Sequence, residues 1–211
     1  MSLATDWTAR NGPDIEPKEP GSRVFFAPPT SNGIVWLRPI RPEDYTFLRS
    51  LEMSGEIGVR WRFRGSTPSP EQWIQSLWGN SLAQFIAMSA SDNQAIAMVS
   101  LYDANFQDGI ASVAVSKFSI EDRSMRTMSA LLLFLNYSFT NWPLRKVYFD
   151  VPEFNLEQFG MALKSELKVE AQLKDHMFAA GRYWDRFTLS LFREHWDEVK
   201  ARYATLIDGT S

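Results

Sequence analysis

Apolar positions change period from one segment of the chain to the next, and each change marks an element. Tyr45, Leu48 and Leu51 recur at helical spacing behind Pro42, Glu43 and Asp44, which predicts a helix beginning near Pro42 with two acids in its first turn. Leu156, Phe159, Leu163 and Leu167 make a second helical stripe. Ser69-Pro70-Glu71-Gln72 is a capping box with proline at the first helical position, and it opens a helix through about Leu77. Leu131 to Phe139 is the apolar centre of a long helix expected to start near Asp122. Between these lie apolar segments read as strands: Ile34–Leu37, Ala83–Met88, Ala95–Tyr102, Ile110–Val115 and Val147–Val151. Ser91-Asp92-Asn93 is a hairpin turn. Val169–Phe178 and Tyr183–Phe192 flank a turn containing Gly181, and an amphipathic helix from His195 to Leu206 closes the chain. A strand, two helices, three antiparallel strands, a helix, a strand, a helix and two strands describe a mixed α+β domain around one central sheet.

Pro, Gly and charge concentrate in residues 1–22, which reads as a flexible tail ahead of a single domain at 23–211, with an edge strand at Arg23–Ala27 as a further element. The 211 residues are enough for one domain with a real core, and an aromatic content of 14% argues for packing rather than disorder. A formal net charge of −3 offers no basic footprint for nucleic acid. There is no cysteine, which removes disulfides and thiol catalysis, and with only His176 and His195 a zinc site is not expected. The first residues lack an apolar signal segment, and the longest apolar run, Ala130–Leu135, is too short to span a bilayer, so a cytoplasmic protein without membrane contact is the expectation.

Three segments carry a more specific signal. Leu144-Arg145-Lys146-Val147-Tyr148-Phe149-Asp150-Val151-Pro152-Glu153-Phe154-Asn155 reads as strand, turn and helix start. Lys174 to Asp185 contains a Gly-Arg-Tyr-x-Asp turn, and Ile34-Val35-Trp36-Leu37-Arg38-Pro39 precedes Pro42-Glu43-Asp44. Together they resemble the GNAT-type N-acetyltransferase superfamily over roughly residues 34–196, most nearly its branch acetylating N-terminal alanines of ribosomal proteins. The resemblance implies the GNAT acyl-CoA N-acyltransferase fold, with acetyl-CoA or another acyl-CoA as co-substrate. A small-molecule amine or a protein N-terminus would be the acceptor, and a homodimer is left open. It also implies that the backbone of Val113, Ala114 and Val115 pairs with the pantetheine arm and that Asn155 contacts that arm or caps its helix. Asp185 would lie near the acceptor side of the cleft, and Arg60, Trp61 and Arg62 would line the acceptor site. Arg60, Arg62 and Arg64 alternate with Trp61 and Phe63, so an extended segment puts the three guanidinium groups on one face, suited to an acidic acceptor or to simple solvation.

The chain departs from the family pattern where chemistry is expected. No glycine occurs between Gly109 and Gly160, so the Gly-rich phosphate loop is missing. In its place stand Glu121 to Met128, either an ordinary helix start capped by Asp122 or a substituted phosphate site built on Arg123, Ser124, Arg126 and Thr127. The helix after Asn155 holds no tyrosine to act as acid, Gln158 stands where the family has serine, and Ile110–Val115 holds no glutamate to act as base. No catalytic side chain is assigned. Two functions follow: an acyl-CoA-dependent N-acyltransferase working by direct attack of an amine on the thioester, or a catalytically degenerate binding or regulatory module.

Overall fold

Residues 30–58, 66–119, 125–159 and 166–208 are described by the computed structural model. Its strands are β1 (Val35–Pro39), β2 (Ser81–Ser89), β3 (Ala95–Asn105), β4 (Ile110–Lys117), β5 (Lys146–Pro152), β6 (Lys168–Ala179) and β7 (Arg182–Phe192). The helices are α1 (Tyr45–Glu52), α2 (Gly55–Gly58), α3 (Pro70–Trp78), α4 (Arg126–Asn141), α5 (Arg193–Arg202) and α6 (Ala204–Ile207). All seven strands join one sheet in the order β1-β2-β3-β4-β5-β7-β6. Neighbours are antiparallel except β4 and β5, which run parallel.

Both faces of the β1–β4 half are covered, and the sequence shows it. In β2, Ala87 points to one core while Ile86 and Met88 point to the other, because successive strand residues face opposite sides. On the first side lies α4, apolar all round from Ala130 to Leu135 and therefore fully buried. It rests on Ala97, Val99 and Leu101 of β3, Ala111 and Val113 of β4, Val147, Phe149 and Val151 of β5, and Leu189 and Leu191 of β7. On the second side, Leu48 of α1 and Trp73 and Leu77 of α3 pack over Ile86, Met88, Met98 and Phe118. Buried Trp73 donates its indole N–H to the Glu52 carboxylate at 2.7 Å.

Several element ends differ from the sequence reading. The capping box at Ser69 and Gln72 forms in both directions, starting α3 where expected. The segment at Pro42 is a 3-10 turn, and the α-helix starts three residues later. Asp44 is the reason: its carboxylate accepts the Arg41 N–H at 2.8 Å and a two-pronged bond from Arg38 at 2.7 Å, which holds the first turn tight. Behind β5, Glu153–Phe159 is also 3-10 rather than α-helical. The last helix begins at Arg193, two residues before His195, and is interrupted at Tyr203. The expected edge strand at 23–27 and the helix start at Asp122 lie outside the described residues.

One side chain ties three elements together. Asn32, 5% exposed, accepts the N–H groups of Ile34 and Val35 and donates to Ser129 Oγ in α4 and to the Leu206 carbonyl in α6. Asn32→Leu strands the Ile34 and Val35 N–H groups in the interior, while the Leu206 carbonyl keeps the Ser129 hydroxyl, and each buried unpaired group costs roughly 1–3 kcal/mol. A loss of about 3 kcal/mol, read as a lower urea midpoint at unchanged slope, is the expected result.

Candidate active site

β4 and β5 begin side by side and then part. Their ladder holds Ile110 opposite Lys146, Ala111 opposite Val147 and Ser112 opposite Tyr148, and goes no further. Yet β4 continues to Lys117 and β5 to Pro152. Each keeps its outer partner: Val113, Ala114 and Val115 pair with Leu101, Ser100 and Val99 of β3, and Phe149 to Pro152 pair with Leu189 to Arg186 of β7. The gap is floored by α4, on which the side chains of Val113, Phe149 and Val151 rest. Backbone N–H and C=O groups on the parted edges therefore lack ladder partners across the gap, and buried groups of this kind need a partner from elsewhere.

Over the other face of the gap lies an open cavity of about 420 Å³. Its walls come from β3 (Met98, Ser100, Tyr102, Asp103), β4 (Ala114, Ser116), β5 (Asp150, Pro152) and the end of α3, with Met177 and Arg186 from the last hairpin. Tyr102, Ser112 and Tyr148 form one row across the sheet at the point of parting. Past that row, Asp150 accepts a bond from Thr188 Oγ1 at 2.9 Å and an ion-paired bond from Arg186 Nη2. Asp103 sits at an irregularity of β3 with φ of 50°, and its N–H is held by the Asn80 carbonyl at 2.9 Å. Asn80 itself has φ of 56°. Backbone held in this left-handed region costs energy that surrounding contacts must sustain, and such residues gather at functional clefts.

Among the described residues, two buried side-chain oxygens have no hydrogen-bond partner. Asn155 Oδ1, three residues past the end of β5, is one, and Thr127 Oγ1, in the first turn of α4, is the other. An unpaired buried polar group is costly, so Asn155 Oδ1 marks a place where an external donor fits and the Thr127 hydroxyl a place where an external acceptor or donor fits. An elongated molecule carrying amide N–H groups, laid between the strands, suits both the parted edges and Asn155. Thr127 and the first amides of a 16-residue helix suit an anionic end.

The other expected site residues fall in three groups. Arg60, Trp61, Arg62, Arg123 and Ser124 lie outside the described residues. Arg126 extends toward the β2–β3 hairpin, 3.3 Å from Ser89 Oγ and 3.8 Å from Asp92. Asp185 serves the β6–β7 hairpin: it accepts Lys174 Nζ and Gln172 Nε2 at 2.7 Å and the Asp175 N–H at 3.0 Å. These bonds hold an irregularity of β6 between Leu173 and Met177, where Asp175 has φ of 47°. The Lys174 ammonium first, then the Asp175 amide and the Gln172 amide, keep the Asp185 carboxyl below the usual carboxylate range. Asp150, Arg186 and Thr188 escaped the sequence reading, although Asp150 and Thr188 stand between apolar neighbours on their strands and Arg186 lies two residues before Thr188, so that all three share the face opposite α4. Among the described residues, no cluster of His, Asp and Glu suited to a metal ion occurs and no helix is long and apolar enough to cross a membrane.

No protein-family model matches the chain. It is similar to the SPbeta prophage-derived uncharacterized N-acetyltransferase YokL of Bacillus subtilis, 25% identical over 164 residues that span 76% of this chain and 91% of that protein. Spermidine N-acetyltransferase of Vibrio cholerae, solved with CoA and spermine, superposes with a TM-score of 0.66 at 22% identity over 78% of this chain and 99% of that one. The manganese complex of SpeG from the same organism gives 0.63 at 20% identity, over 79% and 97% of the two chains. The fold is thus that of the GNAT acetyltransferases, as the element order and the strand–Pro–Asn segment led one to expect.

Proposed function

We propose that this protein is an acyl-CoA-dependent N-acyltransferase, in the first instance an N-acetyltransferase, acting on the primary amine of a small molecule. The observation that carries this reading is the parting of β4 from β5 beyond Ser112 and Tyr148, with the unpartnered Asn155 Oδ1 beside it. YokL and the solved neighbours bear N-acetyltransferase names, which supports the same chemistry. Bound acetyl-CoA supplies an acyl group activated as a thioester. The chain's own part is to hold and orient: the edge of β4 at Val113, Ala114 and Val115 offers backbone groups to the pantetheine arm, and Asn155 Oδ1 accepts one of its amide protons. Thr127 and the start of α4 face the phosphates, with Arg123, Ser124 and Arg126 as flanking candidates. Arg126 can serve there only by trading its contacts with Asp92 and Ser89 for a phosphate. A backbone N–H on the β4 edge is the group available to polarise the thioester carbonyl. Rate then comes mainly from alignment of a neutral amine with that carbonyl.

The acceptor class rests on the neighbours, whose names specify spermidine and spermine, and on the cavity. The narrower likeness to enzymes of ribosomal-protein alanines remains a second acceptor class to assay. A binding module without turnover is the competing reading, favoured by the lack of tyrosine from Asn155 through Ala162. Calorimetric titration with acetyl-CoA and longer acyl-CoAs, followed by thiol release in the presence of amines, decides between them. Asn155→Ala should weaken acetyl-CoA binding about tenfold, the value of roughly one good hydrogen bond. No binding of any acyl-CoA to the parent protein would overturn the proposal, and binding without thiol release would favour the module.

A further inference from the structure

The cavity over the gap carries charge of both signs. Arg186 is the cation among its described lining residues, and Asp103 and Asp150 are the anions. Asp150 and Arg186 are spoken for as a pair, with Thr188 holding the second carboxylate oxygen. The guanidinium has five N–H donors, and only Nη2 is engaged; Nε and Nη1 have no partner among the described residues. The Asp103 side chain likewise has no partner among them, although its backbone is fixed in the left-handed region. The cavity therefore presents one unpaired carboxylate on β3 and an oriented guanidinium with spare donors on β7. The guanidinium is tethered through Nη2 to Asp150, whose other carboxylate oxygen accepts the Thr188 hydroxyl and so fixes the carboxylate that holds it.

From this arrangement we infer that the acceptor is zwitterionic: an amine whose chain also bears an anionic group, carboxylate or phosphate. Arg186 takes the anionic group through its unused donors, and Asp103 receives the cationic end. The inference rests on the acyltransferase reading above and departs from the polyamine acceptors of the solved neighbours. A polyamine would set an ammonium against the Arg186 guanidinium and leave its donors unmet, a repulsion that separates the two substrate classes. Arg186 lies opposite Pro152 but reaches back to Asp150, two residues beyond the last β4–β5 pair, so the anion is held roughly 7 Å along the strand from that pair at about 3.3 Å per residue.

The test compares matched acceptors that differ in the anionic group: L-lysine against cadaverine, γ-aminobutyrate against butylamine, and O-phosphoethanolamine against ethanolamine. Thiol release from acetyl-CoA gives kcat/KM for each, with spermidine as reference. At least one anionic member should exceed its partner by about 10- to 100-fold, the range of a charge-assisted bidentate contact. Arg186→Gln should lower kcat/KM for that member at least tenfold more than for its partner, through KM, and Arg186→Lys should restore part of the preference. Equal or better use of the partner lacking the anionic group in all three pairs overturns the inference, as does a uniform loss across both members in Arg186→Gln. If acetyl-CoA binds and no amine is acetylated, the transfer reading fails instead. Calorimetry of the same six compounds then decides the inference by whether the anionic members bind and Arg186→Gln removes that binding.

Discussion

On the acyltransferase reading, Ala114→Trp is expected to abolish acetyl transfer and to weaken acetyl-CoA binding by at least about 100-fold, while the protein still folds. Ala114 lies on β4 beyond the last pair with β5, partly buried, lining the cavity. An indole there brings roughly 150–250 Å² of surface into a space of about 420 Å³ that must admit both the acyl arm and the amine. Overpacking a closed core usually costs about 1–3 kcal/mol, but this side chain enters open space, so the cost falls on ligand rather than on fold. Far-UV circular dichroism and the melting midpoint should stay close to the parent, and titration should show the loss. Undiminished affinity in a folded Ala114→Trp protein would place the acyl donor outside the gap between β4 and β5.

The second large effect concerns the base of β5. Lys146, 7% exposed, lies with its ammonium 2.8 Å from both oxygens of Glu170, and Ser190 Oγ donates to the same carboxylate at 2.8 Å. The ammonium also sits over the rings of Tyr148 at 4.5 Å and Phe192 at 5.1 Å from their centroids. Lys146→Met keeps the aliphatic packing and leaves Glu170, only partly exposed, without its cation. Removing one member of a fully buried pair costs about 3–5 kcal/mol, and the partial exposure of Glu170 reduces this to about 2 kcal/mol near neutral pH. The bond from Lys146, opposed by burial and aided by Ser190, holds the Glu170 carboxyl below its ordinary value. A carboxyl depressed in the folded state contributes stability above its unfolded pKa, about 4.3, and loses it as pH falls through the lower folded value. For Lys146, burial lowers the ammonium's affinity for its proton, but the bonds to Glu170 and Tyr148 outweigh it, so that contribution fades only as pH rises past about 10.4. The gap between parent and variant in urea melts should thus be widest from about pH 5 to 10 and narrow toward pH 3. A gap that persists at pH 3 would assign the loss to packing instead of charge.

Most of the architecture could be read from turn residues and periodicity, because hairpins and caps are local. Ser91-Asp92-Asn93 and the Ser69 capping box are written in adjacent residues, and both formed. Strand ends were less legible, since they depend on partners: β3 extends to Asn105 through an irregularity at Asp103 that nothing in Ala95–Tyr102 foretells. The parting of β4 and β5 is implied by the family resemblance, which expects strands 110–115 and 147–151 to diverge at their C-terminal ends, and not by the residues alone. Val113-Ala114-Val115 looks like any paired strand, and the missing partner lies more than thirty residues away. Asp150, Arg186 and Thr188 come from two strands, and alternation gives only the face each one shares. Asn155 was named through a family likeness as arm contact or cap; in the structure its carbonyl oxygen is buried and unpaired. Asp185 entered by the same likeness, and here its oxygens are taken up by Lys174, Gln172 and Asp175.

The parting has one mechanical consequence. Only three residue pairs join β1–β4 to β5–β7–β6, so hydrogen bonds within the sheet do little to set the angle between its two leaves. That angle is governed from behind by α4, whose buried side chains lie in one core with β4 and β5. The helix acts as the spine of a half-open book, and the width between the pages is expected to follow the girth of its buried residues that pack beneath β4 and β5. On the acyltransferase reading, side chains that never meet a substrate would thereby bear on turnover.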